Sequence, residues 1–136
     1  EPLMLGRAAM GERVRSGALA DFWRVRRGGR LLHADALRFG PSPGTLSLGA
    51  LTAAAGFAGA RAAATLLYVA PDAGRRIDAM RALLDGLPSP VMGGASAWDG
   101  RLAVRLLAPG GAALRAALLP VIQLLRPGSL PRVWSI

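Results

Sequence analysis

No cysteine and no lysine occur among the 136 residues. The first absence rules out disulfides and thiolate metal ligands, and it allows a reducing compartment. The second makes all 17 basic residues arginine, against 8 acidic ones, for a formal net charge of +9. Histidine occurs once, at His33, so a metal hydrolase would have too few ligands. No G-x-S-x-G, P-loop or H-E-x-x-H is present, and His33 has no serine or cysteine nucleophile beside it. Long apolar runs are missing too. The uncharged stretch 39–60 is rich in Gly, Ala, Ser and Pro, and 102–125 is broken by Arg105, Pro109 and Arg115, so no membrane span is expected. No charged-then-apolar leader is evident, and a chain that opens on Glu1 is expected to be a piece of a longer one.

What is there suffices for a core. The hydrophobic fraction is 52% and the mean hydropathy is +0.36. These values predict one domain over 1–136 with apolar surface left for a partner. Arginine without lysine reflects the codon usage of a GC-rich genome as much as a selected function. Its density still favours an anionic partner. The arginines are scattered and only Phe22 and Trp23 interleave with them as stacking rings, so an acidic protein surface is the expected partner and an Arg-rich nucleic-acid-binding module the alternative.

The stretch Asp21 to Phe39, DFWRVRRGGRLLHADALRF, predicts a β-hairpin with Gly28-Gly29 as a tight primed turn. Counting outward pairs Arg27 with Arg30, Val25 with Leu32, Trp23 with Ala34 and Asp21 with Ala36. That register puts Trp23, Val25, Leu32 and Ala34 on one apolar face. Phe22, Arg24, Arg26, Leu31, His33 and Asp35 take the other, with Arg24 opposite His33.

Before the hairpin, Leu3 to Leu5 reads as a short strand, and Gly6 and Gly11 mark sharp turns around Arg7, Met10 and Glu12. After it come a turn at Pro41–Gly44, a weakly alternating strand from Thr45 to Thr52, and an apolar strand from Thr65 to Val69. Asp72 is the expected N-cap of an amphipathic helix through Ile77, Met80, Leu83 and Leu84, closed by Gly86 and Pro88. Asp99-Gly100 predicts a second hairpin with Trp98 opposite Arg101 and Ser96 opposite Ala103. A helix from Gly111 to Arg126 should be buried nearly all round, either inside this protein or against another, and kinked or split at Pro120. Val133 and Trp134 are expected to dock on the body.

Two residues apart on a strand, His33 and Asp35 project to one face, where a His and a carboxylate make a partial nickel or zinc site. The favoured reading is a neutral imidazole hydrogen-bonded to Asp35, with Arg24 opposing any cationic form. Glu12, His33 and Asp35 are the candidate metal contacts. Arg7, Met10, Arg24, Trp23, Trp98 and Trp134 are candidate interaction or structural residues.

Five collinear stretches carry a resemblance: LGRAAMGE (Leu5–Glu12), WRVRRGGRLLHADALRF (Trp23–Phe39), ATLLYVAPDA (Ala64–Ala73), ASAWDGRLAVRLLAP (Ala95–Pro109) and LPRVW (Leu130–Trp134). Together they resemble the C-terminal half of the urease accessory protein family UreD, also called UreH. The resemblance implies a mainly β fold of stacked antiparallel hairpins in β-helix-like layers, with two α-helices in this half. It also implies a cytoplasmic, non-enzymatic chaperone with nickel as transient cargo and no permanent cofactor. Its implied partners are UreF, UreG through UreF, and apo-urease. The family turn in the first hairpin is often Asp-Gly; Gly28-Gly29 meets the same conformational demand.

Overall fold

The computed structural model describes residues 2–6, 10–12, 14–45, 47–126 and 128–129. Six strands and three helices occur among them, in the order β1 (Pro2–Met4), β2 (Leu19–Arg27), β3 (Arg30–Phe39), α1 (Leu48–Thr52), β4 (Ala62–Val69), α2 (Ile77–Asp85), β5 (Met92–Trp98), β6 (Arg101–Ala108) and α3 (Gly111–Leu125). The fold is mostly β, and every strand pairing is antiparallel. The chain forms two compact units, one of Glu1–Arg13 with Ala60–Ile136 and one of Val14–Gly59.

The larger unit is a four-stranded sheet in the order β1-β4-β6-β5. Alternation along β6 places Leu102, Val104, Leu106 and Ala108 on one buried face. Register extends that face across β4 through Ala62, Ala64, Leu66 and Tyr68. Met80 and Leu84 of α2 and Leu114, Leu118, Val121 and Leu125 of α3 join these residues in a single apolar core. The β5–β6 hairpin forms in the counted register, Trp98 opposite Arg101 and Ser96 opposite Ala103. Its turn residues Asp99 and Gly100 sit at φ 43° and 69°, as a primed turn requires.

Several expectations for the elements need correction. Thr45–Thr52 is not a strand. Ser47 accepts a hydrogen bond from the Ala50 amide at 3.0 Å and starts α1, and that short helix buries Leu51. Counting α1, three α-helices occur among the described residues rather than two. Pro120 does not split α3, which runs unbroken from Gly111 to Leu125. The carbonyl that loses its partner belongs to exposed Ala116, where water can satisfy it. Within this chain α3 is not buried all round: Ala112, Ala116 and Gln123 are exposed.

Asp72 precedes a 3-10 turn, Ala73–Arg76, that leads into α2. Its carboxylate caps nothing. It accepts hydrogen bonds from the Tyr68 hydroxyl at 2.9 Å and from Arg76 Nε at 2.7 Å instead.

In the smaller unit β2 and β3 form a two-stranded sheet. Trp134 and Val133 lie outside the described residues.

Candidate functional site

The β2–β3 hairpin carries most of the candidate residues, and its register decides what they can do. Gly28 and Gly29 adopt φ 55° and 77°, the positive values of a primed turn that a Cβ would oppose. Arg26 Nη1 donates to the Gly29 carbonyl at 3.1 Å and braces the turn.

The counted register holds for two pairs, Arg27 with Arg30 and Arg26 with Leu31, and then shifts. Val25 lies opposite His33, Arg24 opposite Ala34, Trp23 opposite Asp35, Phe22 opposite Ala36 and Asp21 opposite Leu37. Leu32 is the extra residue of a β-bulge. The hydrophobic pattern explains the shift. With the bulge, Leu37 and Phe39 share a face with Leu19, Trp23 and Val25; without it they would lie with Arg24. Phe39 is buried.

The sheet therefore has two faces different from those counted. Asp21, Trp23, Val25, His33, Asp35 and Leu37 are half-buried on one. Ala20, Phe22, Arg24, Arg26, Leu31, Ala34, Ala36 and Arg38 are exposed on the other. The expected cluster of Arg24 with His33 and Asp35 does not form, because the bulge sends the imidazole and the carboxylate to the side opposite Arg24.

On the half-buried face, Trp23 Nε1 donates to Asp21 Oδ2 at 3.1 Å. Asp35 Oδ1 accepts from the Ala36 amide at 2.9 Å, and His33 Nε2 is shielded from solvent. On the exposed face, the Arg38 guanidinium lies 4.5 Å from the centre of the Phe22 ring.

Glu12 belongs to the larger unit. Its side chain is exposed, and its carbonyl accepts a hydrogen bond from Arg61. Gly6 at φ 85° approaches the same carbonyl so closely that a Cβ would lie 3.0 Å from it, in keeping with the sharp turns expected there. Met10 is 71% exposed, and Arg7 lies outside the described residues. Trp98 is partly exposed at the tip of the second hairpin, with the Arg101 guanidinium 5.4 Å from its ring centre and paired to Asp99 at 2.7 Å. Among the described residues no three His, Cys, Asp or Glu side chains gather closely enough to hold one metal ion. The hairpin thus carries His33 and Asp35 together on its half-buried face and a basic, partly aromatic surface on the other.

The family model for the UreD urease accessory protein matches residues 1–135. The chain belongs to the UreD urease accessory protein family. Among similar proteins, the urease accessory protein UreD 2 of Methylorubrum populi is 50% identical over 135 residues, which cover 99% of this chain and 44% of that protein. The urease accessory protein UreD of Rhizobium etli is 49% identical, with 100% of this chain and 47% of that protein covered. That of Xanthobacter autotrophicus is 50% identical over 99% of this chain and 45% of its own length. The chain spans about half the length of the curated UreD relatives it matches. Among the described residues no helix is long and apolar enough to cross a membrane.

The sequence carries two signals beyond the counted register: Leu37 and Phe39 are out of phase with Leu32, which marks a bulge, and Arg38 then falls on the same face as Phe22.

Proposed function

We propose that the chain is part of a non-enzymatic scaffold for urease maturation, which binds UreF, through it UreG, and apo-urease while nickel is inserted. The observation that carries this reading is the match to the UreD family along almost the whole chain. Nickel is cargo in this proposal. His33 and Asp35, which share one face of β3, are proposed as transient contacts for it. Glu12 is proposed as a further contact along the metal's route. A cytoplasmic location and a layered, β-helix-like arrangement in the full-length protein belong to the same proposal.

The test is co-purification of the full-length parent with UreF and apo-urease, together with urease activity after deletion of its gene. A stable complex and loss of activation are expected. Full urease activity in the deletion strain sinks the reading. For the cargo route, His33→Ala should weaken nickel binding in a calorimetric titration of the full-length protein, and an unchanged isotherm removes His33 from the path.

A further inference from the structure

We infer that the exposed face of the β2–β3 hairpin is a docking surface for an acidic protein segment that carries an apolar side chain among its carboxylates. The biological partner rests on the scaffold reading above; the surface itself rests on three features of the hairpin.

The first is charge sorting by the bulge. Asp21 and Asp35, the only carboxylates of the two strands, both lie on the half-buried face. Arg24, Arg26 and Arg38 share the exposed face with no carboxylate from either strand. In the unbulged register Asp35 would have joined Arg24 and neutralised part of that surface.

The second is apolar exposure at the same place. Phe22 is 46% exposed and Leu31 44%, and cross-strand partners keep the face open because Phe22 stands opposite Ala36, Arg24 opposite Ala34 and Arg38 opposite Ala20. Small cross-strand partners leave the apolar surface of Phe22 and Leu31 uncovered within the hairpin, open to an incoming apolar group.

The third is preorganisation. The Arg38 guanidinium already rests over the Phe22 ring, which limits its rotamers while its N–H edge stays available for a bidentate carboxylate. That same contact argues against nucleic acid. Arg38 already occupies one face of Phe22, and Phe22 is the only aromatic ring on this face of the hairpin, which leaves little for bases to stack on. Self-association is disfavoured by the net charge of +9.

The experiment uses the full-length parent protein and a fluorescent 12-residue peptide of alternating Glu pairs and Leu, read by anisotropy. Arg24→Glu with Arg38→Glu should weaken binding at least about tenfold, and raising the salt should weaken the wild type. Phe22→Ser should cost about threefold through loss of the ring and its hold on Arg38. Arg75→Glu with Arg81→Glu, the same charge change at two exposed positions of the 3-10 turn and α2, should change affinity less than about twofold if the site is local rather than a global field. Equal losses in both double variants, or no loss in either, overturn the inference. So does tighter binding of a charge-matched single-stranded DNA that the Arg24/Arg38 variant abolishes. Circular dichroism checks that each variant is folded.

Assembly with apo-urease and UreF separates this inference from the reading it builds on. If the wild type assembles and the Arg24/Arg38 variant assembles equally well, the surface is wrong and the scaffold stands. If the wild type fails to assemble yet binds the peptide as expected, the scaffold reading falls and the surface is supported.

Discussion

Arg76 does more than its place beside a helix suggests. Its Nε pairs with Asp72 Oδ2 at 2.7 Å, its Nη1 donates to the Leu124 carbonyl at 2.6 Å, and its guanidinium lies 5.2 Å from the Tyr68 ring centre. One side chain therefore satisfies a carbonyl of the last turn of α3, which has no partner within its own helix, and ties it to β4 and the 3-10 turn. The hydrogen bond from Arg76 holds the Asp72 carboxyl below its ordinary range, with the Tyr68 hydroxyl adding to the effect. Donation to Asp72 pushes the Tyr68 hydroxyl up.

The signs give a pH window. A depressed carboxyl stabilises the fold above its unfolded value and loses that contribution as acid protonates it, below about pH 4. A raised phenol contributes below its unfolded value and loses it above about pH 10. Asp72→Asn should flatten the fall in urea midpoint between neutral pH and pH 3, and an acid limb as steep as the wild type's would assign acid sensitivity to other carboxylates. Among apolar residues, Met80 is fully buried, and Met80→Ala should cost about 2–5 kcal/mol by urea unfolding.

At this scale the sequence was only partly readable. The spacing of Asp72 and Arg76 at i and i+4 is visible. The arrival of Leu124, 48 residues away, is a tertiary fact that no local pattern encodes.

Among the elements, the two hairpins divide sharply in legibility. Asp99-Gly100 sets a register that continues without interruption along β5 and β6, so counting from the turn succeeds. Counting from Gly28-Gly29 fails after two pairs, because the burial demand of Leu37 and Phe39 outweighs uniform pairing and ejects Leu32 as a bulge. The candidate site inherits that outcome: His33 and Asp35 were correctly placed on one side together, and on the wrong side relative to Arg24.

A pair of substitutions checks the register energetically. Phe39→Ala should cost about 3–5 kcal/mol, whereas Ala36→Thr, on the exposed face, should stay within about 0.5 kcal/mol. Similar small effects at both positions would favour the unbulged hairpin. The strand expected at Thr45–Thr52 failed for a simpler reason. A weak alternation without strong β-formers gave way to a serine cap.

On the scale of the molecule, composition spoke to charge and core, and the collinear motifs spoke to family; neither could divide the chain into its two units. The excess of arginine, the sorting of carboxylates by the bulge and the exposure of Phe22 act in one direction. Association of the full-length parent with its partners should weaken as salt rises from 50 to 300 mM, since surface charges more than about a Debye length apart are screened. Salt-independent affinity in a sedimentation or anisotropy assay would point to a purely apolar interface.

Within the larger unit, β6 is paired along its whole length with β4 and over Arg101–Leu107 with β5. Its alternate side chains, Leu102, Val104 and Leu106, also lie at the floor of the core. Each amide proton there points into one of the two flanking ladders, and the buried face below holds both ladders closed. The strand should therefore act as the clock of the unit. Exchange at Val104 should report global unfolding, while the three-residue β1 trades its protons through local fraying long before.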